Sequence, residues 1–198
     1  MNLGDLDFKI GSVNPSGIGS TIFRIAKKDI TEWPTIVDDP DDSSATDPAD
    51  MSTYDGNFTV ATGKHFDRIY STQGKGKATF EAVGEDDCKM FNNHLSISYP
   101  KLTAKSGAFA KLSANGDFVY VFKHDGAYRV IGSKDYRVTT TVNGDTGDAA
   151  GSAKGNTIEM VAPDVTPLPI YAGTLPLADG TLNCATDVFT PTPESDTP

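Results

Sequence analysis

The feature that most constrains this chain is the stretch 118–131, where two runs of β-branched and aromatic residues flank Asp125-Gly126. An Asp-Gly pair between such runs is typical of a two-residue hairpin, because a type I′ turn needs positive φ at both central positions. The spacing predicts that Val121 lies opposite Val130. Both faces of this hairpin would be apolar, so we expect cover on both sides, either inside a sandwich or barrel or partly from another subunit.

Short alternating runs recur along the rest of the chain and are separated by turn residues. The first covers residues 6–10, and a half-buried run covers residues 91–99. One helix is predicted at 103–114, with Thr103 as N-cap and Asn115-Gly116 as the stop signal. We predict a mainly β fold, a β-sandwich or barrel of about nine or ten strands with one flanking α-helix.

The acidic residues are concentrated in two segments. The formal net charge is −10, but seven aspartates and no base fall within 38–55, and four acids and no base follow residue 174. The remaining body is close to neutral, which disfavours specific nucleic-acid binding through a basic patch. The aspartates of the first segment are Asp38, Asp39, Asp41, Asp42, Asp47, Asp50 and Asp55.

These two segments also set the predicted domain organisation. The segment 38–55 is rich in Asp, Pro, Ser and Thr, and we predict a long exposed loop because such a composition cannot bury itself. The segment 174–198 thins into proline, threonine and serine and predicts an extended or disordered tail. We therefore predict a β domain at 1–173 that carries the acidic loop, followed by that tail.

Residues that could carry chemistry are few and scattered. The histidines His65, His94 and His124 show no metal-ligand spacing, and ordinary surface or strand positions are the better interpretation. Cys88 and Cys184 are far apart and are expected to be reduced thiols without a histidine close in sequence. We predict no catalytic residue, no metal, no cofactor and no enzymatic activity.

The N-terminal residues give the expected compartment. Residues 1–8 lack the basic and apolar regions of a secretory signal, and no stretch approaches eighteen consecutive apolar residues. We therefore expect a protein that is made and kept in the cytoplasm, with no membrane partner.

Several stretches spread over residues 1–173 together resemble the major tail tube proteins of long-tailed phages and prophages, in particular a family common in Bacteroidetes-type elements. What these stretches share with the family is order and spacing. They are Leu3-Gly4-Asp5-Leu6, Lys28-Asp29-Ile30-Thr31-Glu32-Trp33-Pro34, Phe66-Asp67-Arg68-Ile69-Tyr70, Val83-Gly84-Glu85, Phe91-Asn92-Asn93, Arg129-Val130-Ile131-Gly132-Ser133 and Pro169-Ile170-Tyr171 with Gly173. The loop 38–55 and the chain after Gly173 lie outside the resemblance.

The resemblance implies a virion structural protein. Its subunits would form homohexameric rings in which strands from all copies line a wide barrel, and stacked rings would conduct DNA during ejection. It also implies assembly in the host bacterial cytoplasm, residence in the virion tail, and tail sheath, tape-measure and tail-terminator proteins as partners. The candidate residues for the shared sheet are Phe118, Tyr120, Phe122, Tyr128 and Val130.

Two hypotheses concern the acidic loop. We expect the segment 38–55 to be disordered in the monomer and to become ordered at a contact between rings or between subunits. Because the body is nearly neutral, any repulsion of DNA from the lumen would have to come from locally placed acids or from the acidic segments.

Two alternatives stay open at this stage. A type VI secretion tube or a related contractile-injection tube has the same architecture. A non-catalytic β-sandwich that binds carbohydrate or mediates adhesion belongs to a different class, although the single tryptophan, Trp33, and the lack of an evident aromatic platform disfavour it.

Overall fold

The computed structural model describes residues 6, 9–39, 41–42, 46–149 and 152–193. Its strands are β1 (Thr21–Ala26), β2 (Ile30–Glu32), β3 (Thr53–Tyr54), β4 (Thr59–Val60), β5 (Asp67–Tyr70), β6 (Lys77–Val83), β7 (Met90–Tyr99), β8 (Phe118–His124), β9 (Ala127–Ile131), β10 (Thr139–Asp145), β11 (Gly155–Asp164), β12 (Ile170–Tyr171), β13 (Thr174–Leu177), β14 (Gly180–Asn183) and β15 (Val188–Pro191). The α-helix, α1, spans Ala104–Ser113, and two 3₁₀ helices span Lys27–Asp29 and Pro48–Ser52.

The fold is mainly β, which confirms the predicted class. A central six-stranded sheet has the spatial order β3-β12-β9-β8-β1-β5. A four-stranded sheet, β10-β11-β7-β6, covers one of its faces, and a three-stranded sheet, β13-β14-β15, lies over the other. The small pair β2-β4 completes the described strands. All of these sheets have free edges, so the described residues form stacked open sheets and not a closed barrel.

The central hairpin is confirmed in its turn and its register. Asp125 and Gly126 have φ values of 47° and 77°, as a turn with positive φ requires. Val121 lies opposite Val130, as the spacing predicts. The hairpin lies in the middle of the central sheet, between β1 and β12, and both of its faces are covered by the chain itself.

Two apolar clusters fill the spaces on either side of the central sheet. Between the central and four-stranded sheets lie Ile22, Leu95, Ile97, Tyr120, Phe122, Ile131, Val138, Ile158, Met160, Ala162 and Leu168. On the opposite face lie Phe23, Ile25, Ile30, Tyr54, Phe58, Phe66, Val119, Val121, Tyr128, Val130, Tyr171, Leu175, Leu177, Leu182 and Cys184. Because neighbouring residues of β8 point to opposite faces, one strand supplies both clusters.

The predicted tail at 174–198 is wrong for residues 174–191. This segment forms the meander of β13, β14 and β15, and Leu175 is fully buried against the second cluster. Alternation explains the burial, since Leu175 and Leu177 point to one face of β13. Pro191 ends an outer strand, where a missing amide costs no ladder hydrogen bond. Residues 194–198 lie outside the described residues.

Two further predictions have different outcomes. The helix is confirmed, and Thr103 caps it through a reciprocal pair of hydrogen bonds with Ser106. The predicted strand at 6–10 is not found at Leu6, Lys9 or Ile10, and residues 7 and 8 lie outside the described part.

Among the described helices, none has the length and apolar character needed to cross a bilayer.

Candidate subunit-contact surface

A groove of about 610 Å³ opens where the central and four-stranded sheets diverge, beside the edge strand β5. We call it the lateral groove. It lies between β5 and β1 on one side and β10 and β11 on the other, and α1 forms its rim. Its lining residues are Arg24, Asp67, Arg68, Ile69, Tyr70, Tyr99, Lys105, Ser106, Ala108, Phe109, Leu112, Val142, Asn156 and Ile158. Several of these are large apolar side chains, so the groove suits an apolar occupant.

Two hydrogen bonds show which backbone groups of β5 point away from β1. The Ser71 amide donates to the residue before β1 (2.7 Å), whereas the Phe66 amide donates to Pro176 on the opposite side (2.8 Å). Since successive amides of a strand face opposite edges, the amides of Arg68 and Tyr70 face outward with that of Phe66. Within the described residues, no strand pairs with this outer edge of β5.

The open part of this edge is short and has fixed ends. It begins after the Phe66 bond and ends where the Thr72 amide donates to the Ser98 carbonyl at the end of β7 (2.7 Å). Between them lie the four residues of β5. The charged side chains of Asp67 and Arg68 disfavour indiscriminate pairing at such an edge, so a specific partner is the better match.

The floor of the groove is held by Arg24. Its guanidinium lies 4.6 Å from the ring centroids of both Phe109 and Phe118, and it contacts the Asp67 carboxylate and the Ser113 hydroxyl at 3.5 Å each. Cation–π contacts of this kind contribute about 1–2 kcal/mol each when they are partly desolvated. The pairing ties β1, β5 and α1 together, so the groove has a defined shape before anything binds.

Exposed apolar side chains surround the mouth of the groove. Tyr70 and Leu112 line it and are 52% and 66% exposed, and Leu102, outside the lining but beside Gly144 of β10, is 45% exposed. A cluster of large apolar residues beside an open strand edge is the composition of an interaction surface. This surface leaves no signal in the sequence because β5, α1 and β10 are far apart along the chain.

The five hairpin residues predicted to form a shared sheet lie inside the chain. Tyr120, Phe122 and Val130 are fully buried, Tyr128 is nearly so, and Phe118 packs against the first cluster. Their strands are flanked on both sides by other strands of the same chain. The prediction is therefore corrected: the hairpin supplies the monomer core, and the open edge belongs to β5.

The acidic segment 38–55 is also more ordered than predicted, at least over residues 46–55. Asp47 caps the 3₁₀ helix Pro48–Ser52, and the Asp50 carboxylate accepts hydrogen bonds from the Asp47 and Thr46 amides. These amide hydrogen bonds lower the pKa of Asp50. Asp55 bridges Thr35 through two backbone hydrogen bonds, and β3 pairs with β12.

The other aspartates of this segment lie nearer its start. Asp38, Asp39, Asp41 and Asp42 are exposed, and the Asp39 carboxylate accepts from the Asp41 amide (2.9 Å). Residues 40 and 43–45 lie outside the described part. The structure therefore presents the acids on the surface, as the composition predicts, but it does not bring them together with the lateral groove.

A second polar cluster joins the C-terminal meander to the central hairpin. Asp187, in the turn between β14 and β15, accepts hydrogen bonds from the Lys123 ammonium and from the Tyr128 hydroxyl. The Lys123 ammonium and then the Tyr128 hydroxyl lower the pKa of Asp187. Burial raises the pKa of the neighbouring Cys184 thiol to about 12, which keeps it protonated and unreactive at neutral pH.

Groups that could hold a metal are not clustered in the described residues. No three of their histidine, cysteine, aspartate and glutamate side chains come together as a ligand set. His65 and His94 each lie 3.6 Å from a single carboxylate, and His124 contacts the Gly17 carbonyl.

Comparisons of the chain with protein-family models, with curated proteins and with solved structures find no match.

Proposed function

We propose that this chain is a self-assembling virion structural protein, the major tail tube subunit of a phage or prophage. In this proposal homohexameric rings stack into a conduit for DNA ejection. The observation that carries it is the lateral groove, where an unpaired strand edge and exposed apolar side chains coincide on an otherwise complete β fold. The resemblance over residues 1–173 supports the choice of a tail tube among self-assembling proteins.

The distribution of burial supports assembly from folded monomers. The central sheet is covered on both faces by the chain itself, so the core does not depend on a neighbour. The groove, in contrast, presents backbone donors and apolar side chains that a neighbour could cover. A contact between two different surfaces of identical subunits generates rings when its rotation closes.

The surface acids suit a conduit for DNA. The exposed aspartates at 38–42 repel phosphates, and a surface that repels DNA allows it to slide without sticking. If these acids act in this way, neutralising them by Asp→Asn at 38, 39, 41 and 42 slows DNA ejection but leaves assembly intact. Unchanged ejection would remove the segment from this role.

Negative-stain electron microscopy of the purified full chain, combined with light scattering, tests the proposal. We expect rings or tubes whose particle mass is a multiple of the monomer mass, with more tubes at higher protein concentration. A glycan-array measurement on the same sample addresses the binding-module alternative. Monodisperse monomers at all concentrations, with or without glycan binding, would contradict the tail tube proposal.

A further inference from the structure

An N-terminal arm, residues 6–16, carries apolar side chains that the described chain leaves uncovered. Leu6 and Ile10 are fully or almost fully exposed, and Val13 is 89% exposed. With Phe8, which lies outside the described residues, Leu6 and Ile10 follow the two-residue period of a β-strand. The arm therefore has the pattern of a strand but contributes no strand at its described positions.

The root of the arm is fixed at one side of the molecule. The Gly19 amide donates to the Lys123 carbonyl (2.7 Å), and the Gly17 carbonyl contacts His124 Nδ1 at 2.6 Å. Ile18 packs on Gly76, since a Cβ added to Gly76 would lie 2.4 Å from Ile18 Cγ1. Gly17 and Ile18 also border a second depression whose wall is β6. The arm therefore leaves the body beside β6.

The lateral groove lies at the other edge of the four-stranded sheet. In the four-stranded sheet β6 is one edge and β10 is the other, and the groove is lined by β10 and β11. The arm root contacts the β8 side of β1, whereas β5 pairs with its other side. The arm leaves beside β6 and the groove opens beside β5. They are therefore two different surfaces, as a head-to-tail contact between identical copies requires.

We propose that the arm of one molecule docks in the lateral groove of a second copy by adding a strand to the outer edge of β5. This inference deepens the proposed self-assembly and rests on it. Leu6, Phe8 and Ile10 would point into the groove, and the backbone of the arm would pair with the outward amides of Arg68 and Tyr70. Strand addition combines backbone hydrogen bonds with pockets for alternate side chains. The outward amides of β5 could donate those hydrogen bonds, and the apolar lining of the groove suits alternate apolar side chains.

Length fits this occupant. On a strand whose apolar residues face the groove, Asp7 and Lys9 would share the other face, toward the face of β5 where Arg68 already pairs with Asp179. The eleven residues of the arm can span up to about 36 Å when extended. Within the groove Arg24 pairs with Asp67, and Lys105 is a further basic side chain of the lining.

A peptide-binding experiment tests the contact directly. The receptor is the full chain with Leu6→Asp and Ile10→Asp, which cannot dock its own arm and which alters only exposed positions. The probe is a fluorescently labelled peptide with the sequence of residues 2–14, and anisotropy reports binding. We expect saturable binding that weakens at least about tenfold when Leu112→Lys is added at the groove. Val188→Lys, at an exposed valine of β15, is the matched control and should bind the peptide normally.

Cross-linking decides whether the arm reaches a second copy. In a Cys88→Ser background, which removes the exposed native thiol, a chain with Ile10→Cys is mixed with a chain with Leu112→Cys. A short bis-maleimide should give covalent heterodimers. The inference is overturned if the peptide does not bind, if Leu112→Lys leaves its affinity unchanged, or if the mixed chains give no heterodimer.

The two proposals fail in different ways. If the wild-type chain forms tubes and the Leu6→Asp, Ile10→Asp chain forms the same tubes, arm docking is excluded while the tail tube function stands. If the peptide binds and heterodimers form but microscopy shows no ring or tube, docking stands and the tail tube function is excluded.

Discussion

The central hairpin and the β5 edge are both β structure, but they differ in what completes them. Every strand neighbour and both covering layers of the hairpin come from the same chain. At β5, one side pairs with β1 and the other faces the lateral groove. In this molecule the residues that stabilise the fold are therefore different from the residues that remain available for contacts with another molecule. Substitutions should therefore affect stability at the hairpin and association at the edge.

The largest expected effect on stability is at Tyr120, which is fully buried in β8. Tyr120→Ala should lower the free energy of unfolding by about 3–5 kcal/mol, because it leaves a large cavity between two sheets. Tyr120→Phe, which keeps the ring and removes the hydroxyl that bonds to Thr140 (2.9 Å), should cost about 1 kcal/mol. Urea unfolding followed by circular dichroism measures both. A loss below about 1 kcal/mol for the alanine variant would contradict the assignment of the hairpin to the core.

The next effect tests whether the C-terminal meander belongs to the interior. Leu175→Ala should lower the free energy of unfolding by about 2–4 kcal/mol, because Leu175 is fully buried under the central sheet. Val188→Ala, at an exposed position of the same meander, should change it by less than about 0.5 kcal/mol. Equal, small effects of both substitutions would support the tail that the composition suggests.

A smaller effect, of opposite sign, is expected at Asp164. This buried carboxyl accepts from the Thr166 amide, and its Oδ2 has no protein partner among the described residues. Burial raises the pKa of Asp164, and the nearby Asp38 and Asp135 raise it further. Ionisation therefore destabilises the folded state once the pH rises above the ordinary value near 3.8.

Asp164→Asn removes that charge and keeps the acceptor. The variant should be more stable than wild type at pH 7, and the difference should shrink as the pH falls through the ordinary value of 3.8 and disappear near about pH 3, where the carboxyl is neutral in both states. Unfolding measured between pH 3 and pH 8 checks the prediction. A variant that is less stable than wild type at pH 7 would show that a partner stabilises the ionised carboxylate by more than burial destabilises it.

The smallest effect on stability is expected at the edge. Leu112→Lys should change the free energy of unfolding by less than about 0.5 kcal/mol, because Leu112 is 66% exposed. Sedimentation velocity should nevertheless show weaker self-association. Val165→Lys, at another exposed apolar position outside the groove lining, is the control and should associate like wild type. If both variants associate equally well, the contrast between interior and edge fails.

The sequence was informative where structure is local. Asp125-Gly126 sets the turn and the register of the hairpin, and Thr103 with Ser106 starts the helix, so both were predictable from neighbours along the chain. The meander was missed because its strands are short and carry prolines. Its signal was present in the alternation of Leu175 and Leu177 before the turn at Ala178-Asp179.

The lateral groove could not be predicted in the same way. It depends on β5, α1 and β10 meeting, and their residues are separated by about 30 to 80 positions in the sequence. The hairpin was expected to be shared between subunits because its apolar faces need cover, and the sequence does not show which residues provide that cover. Here it is the chain's own β1, β12 and flanking sheets.

The packing of Ile18 on Gly76 has a consequence for symmetry. A glycine at this point lets Ile18 sit against the backbone, so the arm starts in one set direction relative to the sheets. If arms link successive copies, the angle between the start of the arm and strand β5 of the next copy is the same at every contact. The number of copies in a closed ring is then set by the geometry of a single subunit. A bulkier residue at position 76 should change the number of copies in the ring more than it changes the stability of the fold.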